Sequence, residues 1–242
     1  LSTESIKINV FGKSDIGQKR SNNQDSFIVA PKLSLFAVAD GMGGHSGGEV
    51  ASAMAVKTLE KVFQESSSKK TIERRLVEAS HLANQVIYEH SHKEQALRGM
   101  GTTLTATAVE WPWLYVTQVG DSRCYLYREG ELFQLTEDHS QYYELLRAGM
   151  IQEIEDYGVQ KNVITRSVGY ERNVNVDLYA RRMERGDRYL ICSDGLTGMV
   201  TNEQIAQILQ NFNPAQSVQN LVDLANLQGG EDNVTVIVFD IE

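Results

Sequence analysis

Apolar runs of strand length occur in two batches along this chain, and each batch gives way to segments with helical periodicity. In the first batch, residues 6–11 (IKINVF) alternate apolar and polar as a half-buried strand does, and SFIVA at 26–30 and LSLFAVA at 33–39 follow as a pair of strands. A glycine-rich loop, GMGGHSGG at 41–48, leads to two helices. Ala51, Ala55, Leu59, Val62 and Phe63 recur at helical spacing in one, and Ile72, Leu76, Ala79, Ala83, Val86 and Ile87 in the other, with the polar run SSSKK at 66–70 between them. The second batch holds TLTATAVE at 103–110, LYVTQVG at 114–120, RCYLYRE at 123–129 and ELFQL at 131–135, with a hairpin turn at Glu129–Gly130. Residues 140–165 interrupt it with a polar stretch and a short helical segment near Tyr143–Ala148, after which strands are predicted at 174–180 and 188–192. Two more helices (203–211 and 215–227) and a last strand (234–240) complete the pattern. Batches of strands and helices, rather than regular alternation, exclude a doubly wound parallel fold. They predict an α+β fold of mostly antiparallel sheets, covered on the outside by helix pairs. There is no internal repeat, and the 242 residues are read as one domain, 1–242.

Charge narrows the function. The net charge is −9, so nucleic acid is not an expected partner, because phosphate backbones require a basic surface. A phosphate-binding site in such a chain needs a local inversion of charge, which metal ions supply. The cysteines, Cys124 and Cys192, sit in apolar strand-like runs and read as buried free thiols. They are not part of a zinc knuckle, which needs clustered Cys and His. The apolar runs are too short to cross a bilayer and no secretory leader is visible, so a cytoplasmic monomer without membrane insertion is expected. Opening on Leu1 rather than Met, the sequence leaves a longer parent protein open.

One local pattern recurs: an apolar strand runs straight into an aspartate in a tight turn. It occurs at FAVAD-G (Asp40, Gly41), VTQVG-D (Asp121) and YLICS-D-G (Asp194, Gly195), while Asp25 and Asp232 each lead into a strand. Asp-Gly is also a common turn dipeptide, so no single instance establishes a site. As a set at strand ends, these carboxylates are candidates to converge at one end of the sheets. Like charges so close cannot all ionise unprotected. Hard divalent cations with oxygen ligands resolve this, and Mg²⁺ or Mn²⁺ fits better than zinc because no Cys/His set is offered. The Gly41 carbonyl is a further candidate ligand.

These residues resemble the protein phosphatase 2C family of metal-dependent Ser/Thr phosphatases, in its bacterial form. RSNNQD at 20–25, VADGMGGHSGGE at 38–49, MGTTLTA at 100–106, VGDSRCYLYR at 119–128, LTEDHS at 135–140, ITRSVG at 164–169, CSDGLTGMV at 192–200 and GGEDNVTVIV at 229–238 follow the family's motifs in order. The resemblance implies an antiparallel β-sandwich of two central sheets flanked by pairs of α-helices, a two-metal centre at one end, and a flap subdomain at about 140–168. It implies that Asp40 bridges two metals and that Asp194 and Asp232 hold one. The Gly41 carbonyl would bind the other, which Asp25 contacts through water. A third ion would lie between Asp121 and Asp194. Arg20 would grip the substrate phosphate as a bidentate fork. Two metals flanking a water make it nucleophilic near neutral pH, so no phosphoenzyme is needed. No Cys-x5-Arg nucleophile motif is present.

The sequence departs from many eukaryotic members just after the Asp-Gly pair. Met42 stands where they carry a histidine, and His45 lies three residues further on. His45 or a metal-bound water is the candidate acid for the leaving alkoxide. His139 reads as structural, and His81, His90 and His92 as bystanders on a polar helix face. Tyr142, Tyr143 and Tyr157 in the flap are candidate substrate contacts. The implied partners are a phosphorylated protein and a Ser/Thr kinase that the enzyme opposes. Two other readings stay open at this point: a catalytically silent phosphoprotein-binding pseudophosphatase, and a hydrolase of small phosphate esters.

Overall fold

The computed structural model describes residues 6–43, 47–65, 70–152 and 163–242. Its elements run β1 (Ile8–Asp15), β2 (Asp25–Ala30), β3 (Leu35–Met42), α1 (Gly47–Glu65), α2 (Ile72–Lys93), β4 (Gly101–Thr102), β5 (Leu104–Glu110), β6 (Trp113–Val119), β7 (Arg123–Arg128) and β8 (Glu131–Gln134). There follow α3 (Gln141–Arg147), β9 (Asp177–Arg182), β10 (Arg188–Cys192), α4 (Asp194–Thr197), α5 (Asn202–Asn211), α6 (Pro214–Leu227) and β11 (Val234–Ile241). Two sheets result. One has the order β1-β11-β10-β7-β8, the other β2-β3-β5-β6-β9 with β4 added to β3. Among the described residues every strand pairing is antiparallel. The chain is therefore the expected α+β sandwich.

Strand alternation builds four layers from these elements. On β3, Leu35, Ala37 and Ala39 face α1 and α2, while Phe36 and Val38 face the other sheet. On β11, Ile237, Phe239 and Ile241 face between the sheets, while Val234, Val236 and Val238 face α5 and α6. Both faces of these strands are apolar because both are covered, which is why they read as continuous hydrophobic runs. Between the sheets, Phe239 packs its ring 4.9 Å from Phe36 and 5.0 Å from Tyr189. Each such fully buried side chain contributes roughly 1.5–3 kcal/mol. Thr201 and Gln204 close α5 with a reciprocal capping box, and Asn213 caps α6 ahead of Pro214 at the first helical position. Cys124 and Cys192 are free and buried, Cys124 between the sheets and Cys192 under α5 and α6.

Boundaries differ from the sequence reading in a few places. Pairing with β11 carries β1 on to Asp15, beyond residue 11. A short 3-10 turn at Pro31–Leu33 delays β3 to Leu35. The strand predicted at 174–180 is shifted to Asp177–Arg182, because pairing with β6 begins at Asp177 opposite Gln118. Val174 and Val176 pack instead against the layer under α1 and α2. Of the flap, α3 and its flanks are described, whereas Tyr157 and the EIEDYG stretch lie outside the described residues.

Candidate metal and phosphate site

The two sheets bring one set of strand ends together. Asp25 opens β2 and Asp40 closes β3, and the two are direct cross-strand partners. In that register, side chains opposite each other share a face. Asp121 follows β6, Asp194 follows β10 by two residues and opens α4, and Asp232 precedes β11. Arg20, Asp40, Gly41, Asp121, Asp194 and Asp232 all line one cleft of about 310 Å³. Asp25, buried, lies beneath it beside Asp40. Two larger hollows of about 680 Å³ flank α2 and the 164–175 segment, but neither gathers carboxylates, so chemistry rather than size singles out the smaller cleft.

Burial and mutual repulsion set the charge state of this cluster. Desolvation, with Asp194 and Asp232 nearby, pushes the Asp25 carboxyl up to about 7, against the pull of hydrogen bonds from Thr235 and Ser193. Desolvation and then Asp194 and Asp138 push Asp121 to about 7 as well. Asp40 is raised well above the usual carboxylate range by desolvation and by Asp25 and Asp194. Desolvation also raises Asp194, while a hydrogen bond shared with Asp40 lowers Asp194 and raises Asp40.

Polar residues at and just beyond the strand ends hold the carboxylates in place. Asp25 Oδ2 accepts from Ser193 Oγ at 2.8 Å and Thr235 Oγ1 at 2.6 Å. The Asp40 N–H donates to Thr103 Oγ1 at 2.9 Å. Asn233 ties the loops together: its Oδ1 accepts the Gln24 N–H, and its Nδ2 donates to the carbonyls of Ile16 and Asn22. The sequence reading passed over Thr103, Ser193, Asn233 and Thr235. A local signal existed for two of them, since Ser193 adjoins Asp194 and Asn233 adjoins Asp232. Gly41 is required by close approach, since a Cβ there would lie 2.0 Å from the Gly48 carbonyl oxygen.

Arg20 reaches the same cleft by lying on Asp232, with Nη2 2.6 Å from Oδ2. Its guanidinium is half exposed (51 %) at the mouth, so it is accessible to an incoming anion. As the side chains stand, no three His, Cys, Asp or Glu among the described residues enclose one point where a metal ion would sit. The donor set nevertheless fits hard divalent cations. It is all oxygen, it is held at too high a charge density to ionise alone, and Asp25 Oδ1 and Asp194 Oδ1 are buried with no hydrogen-bond partner among the described residues. His45 lies outside the described residues. His81, His90 and His92 lie on α2 and none of them lines the cleft.

A two-sheet sandwich with helices on both outer faces, carrying an oxygen-only acidic centre and an arginine at one end, defines a class of metal-centred folds. Within that class the chain belongs to the protein phosphatase 2C family, which matches residues 12–226. It is 38% identical over 236 residues to the serine/threonine phosphatase stp of Listeria monocytogenes serotype 4b, covering 94% of each chain. Its structure is similar to the crystal structure of the Mycobacterium tuberculosis serine/threonine phosphatase PstP/Ppp, with TM-score 0.91, 38% identity, and coverage of 97% of this chain and 99% of that one. It is also similar to the catalytic domain of PstP in complex with two manganese ions, with TM-score 0.89, 38% identity, and coverage of 98% and 99%.

Proposed function

We propose that this chain is a metal-dependent protein serine/threonine phosphatase that hydrolyses phosphoserine and phosphothreonine with a metal-activated water and without a phosphoenzyme. The observation that carries the reading is the gathering of Asp25, Asp40, Asp121, Asp194 and Asp232 at one end of the sandwich, with Arg20 at the cleft mouth. Mg²⁺ or Mn²⁺, when bound, supplies an activated water and neutralises charge on the phosphoryl oxygens. Asp40, Asp194, Asp232 and the Gly41 carbonyl are the proposed ligands, with Asp25 contacting through water and Asp121 and Asp194 offering a third ion position.

The protein's own contribution is positional. The Ser193 and Thr235 hydroxyls take up one oxygen of Asp25 and leave the other free for the centre. Thr103 fixes the β3 end that carries Asp40. Arg20, freed from Asp232, presents two parallel N–H donors to the substrate phosphate and orients it for in-line displacement. His45 is proposed to give the leaving alkoxide its proton. Residues 1–242 are read as one catalytic domain with its flap at about 140–168. The partners follow from the chemistry: a phosphorylated protein and the Ser/Thr kinase that made it, in the cytoplasm of a bacterium. No helix among the described residues is long and apolar enough to cross a membrane.

The test is hydrolysis of p-nitrophenyl phosphate by metal-stripped protein with Mn²⁺ titrated back, alongside Asp194→Ala. Metal-dependent turnover lost in the variant supports the reading, and absence of turnover with every divalent metal in folded protein contradicts it. Comparing a phosphoserine protein with free phosphoserine then separates a protein phosphatase from a hydrolase of small esters.

A further inference from the structure

Gly120 stands immediately before Asp121, where the chain leaves β6, with φ +101°. A side chain there would collide with Thr103, its Cβ 2.6 Å from Thr103 Cγ2, so the turn is tight and buried. Its polar groups need partners, and one residue serves both. The Gly120 N–H donates to His139 Nδ1 at 3.0 Å, and the His139 N–H donates to the Gly120 carbonyl at 2.9 Å. These groups belong to the peptide planes on either side of Gly120, and the second plane carries the amide of Asp121 itself. Gln118 Nε2 adds a donor to the same carbonyl at 2.9 Å.

Accepting at Nδ1 fixes the tautomer of His139, because a neutral imidazole with an acceptor Nδ1 carries its proton on Nε2. Nε2 lies 3.0 Å from Asp177 Oδ2, at the start of β9. Arg166 Nη1 takes the other Asp177 oxygen at 2.7 Å and lies 3.1 Å from Nε2. The ring is buried, 6% exposed, between the two. The same residue also anchors the flap base: its carbonyl accepts the Thr165 N–H at 2.8 Å, and the next residue, Ser140, bridges Ile164.

We infer that His139 is a positioning residue whose reciprocal clamp on Gly120 aims the Asp121 carboxylate into the cleft, with Asp177, itself held by Arg166, accepting the Nε2 proton and so holding the imidazole in the required tautomer. The inference rests on the phosphatase reading for its kinetic consequence but not for its geometry. Two variants of similar polarity separate its parts. His139→Asn keeps an acceptor where Nδ1 stood and gives up the reach to Asp177. His139→Gln reaches toward Asp177 and gives up the acceptor for Gly120.

The experiment measures kcat and KM on p-nitrophenyl phosphate with Mn²⁺, and ¹H–¹⁵N spectra of the imidazole and of the Gly120 amide, for the full chain and both variants. Misplacement by about 1 Å costs about 100-fold, so His139→Gln is expected to lower kcat by about that factor with KM within about twofold. His139→Asn is expected to recover to within about fivefold of the wild type. The wild-type imidazole is expected to show a bare Nδ1 and a protonated Nε2 at pH 8, and the Gly120 amide to shift in the Gln variant but little in the Asn variant. Equal loss in both folded variants would reduce His139 to packing and overturn the inference, as would full activity in His139→Gln or a protonated Nδ1. An inactive wild type with the expected spectra would instead overturn the phosphatase reading and leave the clamp supported.

Discussion

The sandwich buries aspartates at both of its ends, and it treats them in opposite ways. At the end away from the cleft, Asp187 is 1% exposed, yet Arg128 grips both its oxygens at 2.7 Å through Nε and Nη2. The Tyr189 hydroxyl and the Glu184 N–H also donate to it. At the cleft end, Asp25 is also buried but faces other carboxylates, and one of its oxygens has no hydrogen-bond partner among the described residues. The two ends are separated by the length of β10, roughly 17 Å. Asp187 comes with its own cation, whereas among the cleft acids Asp25, Asp40 and Asp194 face one another and Asp232 alone forms an ion pair with an arginine among the described residues. Buried charges are tolerated only when paired, so the difference separates scaffold from site.

The contrast breaks most sharply under mutation. Asp40→Asn or Asp194→Asn removes a cleft donor and is expected to lower kcat by at least about a hundredfold, measured on p-nitrophenyl phosphate at saturating Mn²⁺. Equal activity in either variant would merge the two ends into one class. Arg128→Met at the other end leaves Asp187 buried and unpaired. It is expected to destabilise the fold by about 3–5 kcal/mol in denaturant unfolding while leaving kcat per folded molecule unchanged.

The pH dependence of stability sharpens the comparison further. Asp25 and Asp121 titrate at about 7 in the folded protein, against about 3.9 for an unfolded aspartate. Between those values the native state keeps protons that the unfolded state has released. The stability of the metal-free protein is therefore expected to fall as pH rises from about 4 to about 7, and to level off above that. Mn²⁺ favours the ionised form, so its stabilising effect should grow from pH 5 to pH 7 in thermal unfolding scans. A flat metal-free profile would contradict the raised carboxyls. The smallest expected effect has an opposite sign at the two ends: without metal at neutral pH, Asp194→Asn raises Tm by a few degrees while Asp187→Asn lowers it. A 1 kcal/mol change corresponds to about 2–4 °C for a chain of this size.

Much of this was legible in the chain because the covered strands stand out as short continuous apolar runs. The runs around Phe36, Tyr125, Leu190 and Ile237 name the strands, while which layer each residue fills follows only from the packing. The aspartates could be named from strand-to-turn junctions. What patterning cannot supply is register, and it is the pairing of Asp25 with Asp40 that turns separate junctions into a cluster. The Arg20–Asp232 contact joins residues more than 200 positions apart, and no local signal announces it. The one-turn helix α4 was missed because its four residues carry no periodicity. His139 read as structural because its role lies in which nitrogen faces Gly120, a detail of tautomer and geometry.

The most direct measurement is the proton count on Mn²⁺ binding to the metal-free protein at pH 6, by titration calorimetry in two buffers of different ionisation enthalpy. Carboxyls that titrate near 7 must give up protons when they become ligands, so binding should release about one proton or more per chain. The release should shrink in Asp40→Asn. Binding without proton release, or binding that Asp40→Asn leaves unchanged, would mean that the buried carboxylates at this end are not the cation site.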